Sequence, residues 1–408
     1  MELVETKYKQ TEVGLIPEDW EVKTLGDVGE VRMCKRIFSY QTKENGDIPF
    51  YKIGTFGKTP DAYISKEIYN EYKRKYSFPS KGSVLISAAG TIGRTIIFNG
   101  EDAYFQDSNI VWIENNNQVI SNEYLRHVFP FVKFRTEGGT IQRLYNNILK
   151  SGFFPSPPTL SEQKAIARVL SDTDALIQAL EKKIAKKKLI KKGAMQELLR
   201  PKEGWEEVQI QDLIHSFQNG YGFNASGYVR NGIPIVTMAQ IGLNGSFQYD
   251  ERKINFWKRE DFNSLKNFHL KNGDIIIAMT DVTPDKNLIG RMTSVVSNKT
   301  LLLNQRVGLL RINKERIDPL FLTTISNMRD WRRYCIGSAS LGVQANIGTK
   351  DILQGQIKIP RIEEQTRISL ILSAMEKEIE QLEQKLGKYK KVKQGMMQQL
   401  LTGKIRLV

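Results

Sequence analysis

Cysteine and histidine are scarce in this chain, and long apolar runs are missing. Two cysteines, Cys34 and Cys335, stand far apart with no second cysteine or histidine close by. That excludes a disulfide framework and a cysteine-based zinc site, and points to a reducing compartment. The three histidines, His127, His215 and His269, are scattered, so neither a histidine metal site nor a serine–histidine relay can be assembled from them. No stretch reaches the ~20 apolar residues of a membrane span, and the charged opening Met1–Trp20 lacks the apolar centre of a signal peptide. A soluble, cytoplasmic protein is expected. Acidic residues are also short: 45 Asp and Glu against 60 Lys and Arg leave a net charge of +15, which favours a polyanionic partner. With 408 residues, 40% of them hydrophobic, the chain can bury more than one core.

Catalytic signatures are missing too. No Asp/Asn-Pro-Pro-aromatic stretch is present to hold a flipped adenine. Gly90-Thr-Ile-Gly-Arg-Thr95 lacks the spacing and the lysine of a phosphate-binding loop. Pro284-Asp285-Lys286 and Glu181-Lys182-Lys183 fall short of the carboxylate cluster that a metal-dependent nuclease needs. We therefore expect a binding protein with no catalytic residue, metal ligand or cofactor site of its own.

What the chain does contain is a repeat. Pro158, Glu162, Gln163, Ile166, Leu170, Ile177, Leu180, Gly193, Met195, Leu198 and Leu199 each recur 202 positions later, as Pro360, Glu364, Gln365, Ile368, Leu372, Ile379, Leu382, Gly395, Met397, Leu400 and Leu401. One register held over forty residues is an internal duplication. Each copy reads as a helix entered after prolines, the first with Thr159 and Glu162 spaced as a capping box. Apolar residues then alternate at three and four: Leu170, Ile177, Leu180, Ile184 and Leu198 in the first copy, Leu372, Ile379, Leu382, Leu386 and Leu400 in the second. Thr173, Lys187 and Lys191 interrupt the first seam. Helices of ~38 residues are ~57 Å long, and with a domain between them they most simply pair antiparallel.

The segments before each helix correspond as well. Trp20 matches Trp205, Gly46–Gly57 resembles Asn231–Gly242, and Lys81–Arg94 resembles Asn272–Arg291, where the stretch Thr280–Asn287 is inserted. Gln142 and Gln344 keep the 202 spacing, and Gln106 and Gln305 are read as sharing one domain position. Alternating short strands with Gly-rich turns predict an α+β fold: two similar domains, each followed by a long helix, the helices forming an antiparallel coiled coil with pseudo-two-fold symmetry. The expected boundaries are 1–157 for the first domain, 158–200 for its helix, 201–359 for the second domain, and 360–408 for the second helix and tail.

A proline-rich lead-in before Leu-x-Glu-Gln or Ile-x-Glu-Gln, written twice, resembles the specificity subunits of type I restriction-modification enzymes. The opening Thr11–Val28 and the closing Gln398–Val408 are similar to theirs, so the likeness spans the chain. It implies two target-recognition domains, each reading one half of a bipartite, non-palindromic site on double-stranded DNA. It also implies spacer helices that dock two methyltransferase subunits, which bring restriction and motor subunits. S-adenosylmethionine, ATP and magnesium are then expected on those partners. The first domain departs from the pattern: Val31–Thr42 stands where many members carry a Gly-Gly-Thr-Pro-like turn, whereas Asn219–Ser226 keeps a Gly-Tyr-x-Phe turn.

Phosphate contacts supply affinity and base-edge contacts supply sequence reading. Candidate DNA-binding residues in the first domain are Lys35, Arg36, Lys43, Tyr51, Lys52, Lys58, Arg94 and Gln106. In the second they are Tyr221, Phe223, Arg230, Gln240, Asn244, Arg291, Gln305 and Arg306. Arginine can pair with guanine and Gln or Asn with adenine, and Arg94 and Arg291 follow tight turns. The duplicated helix positions, with Glu162, Gln163, Glu364 and Gln365 at their starts, are assigned to the spacer and its partner subunits. Two other classes remain open. A self-contained methyltransferase or nuclease would act on DNA when assayed alone, and a protein-only coiled-coil scaffold would show no salt-dependent mobility shift on DNA.

Overall fold

The computed structural model describes residues 7–134, 144, 146–282, 285–340 and 344–407. Gln142, and Thr283 and Pro284 of the inserted stretch, lie outside the described residues. The chain divides into two compact units, Met1–Lys183 with Leu382–Val408, and Ile184–Gln381. Each unit therefore holds the first part of one duplicated helix and the last part of the other.

The first unit opens with an antiparallel hairpin of β1 (Tyr8–Thr11) and β2 (Gly14–Pro17). β3 (Glu21–Thr24), α1 (Leu25–Val28) and β4 (Gly29–Met33) follow. Then come β5 (Ile48–Tyr51), β6 (Tyr63–Ile64), α2 (Lys66–Lys75), β7 (Val84–Ser87), β8 (Thr95–Ile97), β9 (Tyr104–Phe105) and β10 (Ile110–Asn115). α3 (Asn122–Val128), α4 (Asn146–Ser151) and β11 (Phe153–Ser156) lead into α5 (Leu160–Leu198). The main sheet has the order β4-β10-β7-β8 and is antiparallel; a smaller sheet, β6-β5-β9, holds a parallel β5–β9 pair.

Side chains alternate across a pleated sheet, and here both faces are covered. Val84, Ile86, Val111 and Ile113 pack towards Tyr124, Leu125, Ile166 and Leu170. Leu85, Ile110 and Trp112 pack on the other face, with Phe50, Phe56 and Tyr104. The continuous apolar strands in the sequence follow from that double burial.

The second unit repeats this plan. Its elements are β12 (Glu206–Gln209), β13 (Ile214–Asn219), β14 (Tyr228–Val229), β15 (Ile233–Val236), β16 (Asn255–Trp257), β17 (His269–Leu270), β18 (Ile275–Ala278) and β19 (Thr280–Asp281). β20 (Met292–Ser294), β21 (Leu301–Leu303), β22 (Val307–Ile312), α6 (Pro319–Ile325), α7 (Arg329–Ser338), β23 (Ala345–Asn346), α8 (Thr349–Gln354), β24 (Gln356–Ile359) and α9 (Ile362–Leu400) complete it. The main sheet β13-β22-β18-β20 has the connectivity of β4-β10-β7-β8, the β15–β21 pair is parallel like β5–β9, and β12–β24 mirrors β3–β11.

The helix pairing is antiparallel within each unit. In the first, Asp174 meets Lys393 at 2.5 Å and Glu181 meets Lys390 at 2.7 Å. In the second, Lys187 meets Glu378 at 2.8 Å, and Lys191 pairs with Glu376. Leu170, Ile177, Leu180, Ile184, Leu372, Ile379 and Leu400 are buried, whereas Leu198, Leu382 and Leu386 are half-buried. The polar interruptions of the seam are accommodated across it, Lys187 and Lys191 by glutamates and Thr173 by the Met396 sulfur at 3.9 Å.

The helix starts differ from the sequence expectation. Thr159 caps the Glu162 amide at 3.2 Å, but the Glu162 carboxylate does not return to the cap. Its side chain is fully buried and accepts from Arg406 at 2.5 and 2.9 Å, while Arg406 also holds Asp19 at 2.9 Å. Gln163 faces its own domain, accepting from the Ser121 amide at 2.9 Å and donating to the carbonyls of Val119 and Pro157. Gln365 does the same with the Asp318 amide, Arg316 and Pro360. Glu162, Gln163 and Gln365 are thus occupied inside the fold and offer no surface to a partner subunit. Glu364 is half-buried beside Lys202 at 3.9 Å.

Candidate nucleic-acid interface

β4 and β7 both run antiparallel to β10, so the loops that leave β4 and β7 lie at the same sheet end as the turn that enters β10. β5 brings the stretch after Tyr51 to that end too, because the Gln106 amide donates to the Tyr51 carbonyl at 2.9 Å. This end of the first sheet therefore gathers Lys35, Arg36, Tyr51, Lys52, Lys58, Arg94 and Gln106 from segments far apart in sequence. The chain reaches α3 and the Gln163 contact from the other end of β10. Lys43 instead pairs with Tyr63 near the start of β5, and so lies apart from the group.

Several of these groups are already engaged. Arg36 bonds Asp107 at 2.8 Å and Lys52 pairs with Asp61 at 2.9 Å. Lys35 lies over the Tyr76 ring at 5.1 Å, and Tyr51 stacks on Phe105. Arg94 sits over the Phe56 ring at 5.2 Å and reaches the Ile53 carbonyl at 3.4 Å. The Gln106 carbonyl accepts from the Ile53 amide at 2.9 Å, which fixes the loop after β5. Lys58 is exposed and has no ion pair among the described residues.

The same sheet end of the second unit is built differently. The turn after β18 repeats that after β7: Gly93 donates to Ser87 and Gly290 to Ala278, while Ser87 and Ala278 donate to Arg94 and Arg291. Arg94 and Arg291 are therefore structural equivalents, as the sequence suggested. Gly290 is required twice over, by a φ of +74° and by a Cβ that would meet Cys335 Sγ at 2.3 Å. Arg291 is half-buried, holding the Asn287 carbonyl at 2.5 Å and the Asn327 side chain, and burial lowers its pKa. Gln106, by contrast, corresponds to Asn304, whose amide makes the matching bond to Val236 at 3.0 Å. Gln305, one residue later, is not its equivalent.

Gln240 corrects another expectation. It is buried, and its carbonyl accepts from the Thr237 amide and hydroxyl at 2.8 and 3.1 Å, so that oxygen is spent inside the fold rather than on a base. Phe223 packs on Trp257 at 5.0 Å, and Tyr221 leans on Phe223 and Phe268. Arg230 is exposed in the turn before β15, away from this end; Gln305 and Arg306 are exposed at it.

Asn244 lines a groove between the loop after β15 and the inserted stretch, together with Leu243, Gln248, Val282 and Asn287. Asp281 pins the insertion by accepting from the Leu288 and Ile289 amides at 2.5 and 3.4 Å. Leu243 and Val282, absent from the sequence-based candidates, are 59% and 66% exposed. An apolar side chain within a polar loop, Gly/Asn-rich around Leu243, was the available signal. Among the described residues no cluster of His, Cys, Asp and Glu could hold a metal ion, and no helix is long and apolar enough to cross a membrane.

Comparison with known families decides what this duplicated architecture is. The model for the type I restriction modification DNA specificity domain matches twice, over residues 17–189 and 202–391. The chain belongs to that family. A putative type I restriction enzyme specificity subunit from Haemophilus influenzae is 58% identical over 166 residues, spanning 40% of this chain and 43% of that protein. The MjaVIII specificity subunit of Methanocaldococcus jannaschii is 26% identical over 99% of this chain and 97% of its own. Among solved structures, the S subunit of a type I restriction-modification system from M. genitalium superposes with a TM-score of 0.59 at 12% identity, covering 98% of this chain and 99% of that one. A chain from a study of complex assembly in a type I system gives 0.51 at 16% identity, covering 96% and 99%. At those identities the likeness is one of fold. Two specificity domains, each with its helix, account for the duplication.

Proposed function

We propose that each unit reads one half of a bipartite, non-palindromic site on double-stranded DNA through the loop end of its main sheet. One observation carries this reading: the four-stranded main sheet and the parallel pair beside it repeat in the two units, while the loops at that end do not. The first offers Lys35, Lys58 and the residues around Tyr51; the second offers a groove with Asn244, Gln248, Leu243 and Val282. Polar edges can pair with bases in the major groove and apolar ones can meet a thymine methyl, so unlike loops on like scaffolds give unlike half-sites.

The helices, on this reading, are the spacer and the docking surface for two methyltransferase subunits, through which restriction subunits join. Chemistry belongs to those partners, which bind S-adenosylmethionine, ATP and magnesium. The full-length match to the MjaVIII subunit supports this assignment, as does a sequence without an Asp/Asn-Pro-Pro-aromatic stretch.

Long-read methylome sequencing of a strain carrying the gene with its methyltransferase tests the reading. The expected result is one methylated motif with two different halves separated by a fixed gap. A palindromic or uninterrupted motif contradicts it.

A further inference from the structure

The loop that departs from the family pattern, Val31–Thr42, carries the most exposed large hydrophobic side chain among the described residues. Tyr40 is 82% exposed and Phe38 49%, and the two rings stack with centroids 5.7 Å apart and planes 8° from parallel. Such exposure of aromatic surface is unfavourable unless something covers it in the working state.

The pair is also held in place. Ile37, next to it in sequence, is buried in the core with Phe50 and Tyr104, and the Gln41 side chain accepts from the Phe38 amide at 2.9 Å and donates to Tyr72 at 3.2 Å. Thr42 closes the short turn by donating to the Ser39 carbonyl at 2.8 Å. Cations flank it in sequence: Lys35, over the Tyr76 ring, and Arg36, paired with Asp107, precede it, and Lys43 follows at the bridge to Tyr63. In the corresponding loop of the second unit Phe223 packs against Trp257, and Tyr221, 39% exposed, leans on Phe223 and Phe268.

We infer that Phe38 and Tyr40 form an aromatic wedge that stacks on a base step of the bound DNA and unstacks it. The inference rests on the DNA-reading function proposed above. A rigid exposed aromatic pair in a loop that also carries Lys35 and Arg36 matches the π-face of a base and its flanking phosphates, and pre-organisation avoids an ordering cost on binding. Apolar wedges of this kind open base steps and bend the duplex. Because the second unit's stacked pair, Phe247 and Tyr249, is half-buried and its Tyr221 and Phe223 lean on Phe268 and Trp257, the distortion is expected in the first half-site.

The test uses the full chain and duplexes of its own methylome-defined site, with 2-aminopurine placed in turn at each position. Wild type is expected to raise the fluorescence at one step of a single half-site. Tyr40→Ala should abolish that rise and weaken binding about 5- to 150-fold, the effect of losing one base–aromatic stack, with the salt dependence unchanged. Tyr40→Trp, which keeps the stacking surface, should retain both. An unchanged melting temperature in each variant separates these effects from misfolding. Specific binding by wild type without any fluorescence rise, or a rise that survives Phe38→Ala/Tyr40→Ala, overturns the wedge and leaves the DNA reading standing. No specific binding by wild type removes both.

Discussion

The Gln163 side chain accepts a hydrogen bond from the Ser121 amide at 2.9 Å, joining the start of the long helix to the cap of α3 forty-two positions earlier. Gln365 holds the Asp318 amide at the same distance. The repeated Glu-Gln of the sequence is thus, at its glutamine, a duplicated clamp between helix and domain. Gln163→Ala or Gln365→Ala leaves a buried amide unsatisfied and should cost ~1–3 kcal/mol. Denaturant unfolding should show a lower midpoint for either variant, with the methylated sequence unchanged.

Arg406 joins the C-terminal tail to Asp19 and to the fully buried Glu162 carboxylate. Removing one partner of a buried pair strands the other charge, at ~3–5 kcal/mol. Arg406→Ala should therefore destabilise the first unit strongly, and Glu162→Gln/Arg406→Ala less so. Calorimetry of the two variants compares them directly.

His127 is buried, 2.9 Å from the Ser171 hydroxyl, and burial lowers its pKa from 6.5 to about 4. The unfolded chain takes up the proton first, so this histidine opposes folding as pH falls from about 6.5 towards 4. Above 6.5 it has no effect on the pH dependence. The slope should reach at most ~1.4 kcal/mol per pH unit. His127→Gln should flatten the stability curve in that window, read by denaturant titration at several pH values; an unaltered slope contradicts the assignment.

Lys58 and Arg306 are exposed at the loop ends, with no ion pair among the described residues. Replacing either with alanine should reduce the slope of log affinity against log salt by about 1, uniformly across DNA sequences. Mobility shifts over a salt series measure it.

Much of this was legible in the sequence because duplication is a one-dimensional signal. The shared helix positions, Trp20 with Trp205, and Arg94 with Arg291 all followed from register or local motif. Gln106 and Gln305 misled because equivalence there depends on one hydrogen bond to the parallel strand, which selects Asn304. Gln240 looked like a reader because an amide in a loop carries no mark of burial. The Arg406–Glu162 contact joins residues 244 positions apart, beyond the reach of any local pattern. Glu162 accordingly looked like half of a capping box.

The central claim is that two like scaffolds read two unlike half-sites through their loop ends. The most direct measurement is the methylome of a strain in which Leu243, Asn244 and Gln248 are replaced by alanine, beside that of wild type. The account predicts that one half of the motif relaxes or is lost while the other half and the gap stay as they were. Relaxation of both halves together, or of neither, would contradict it.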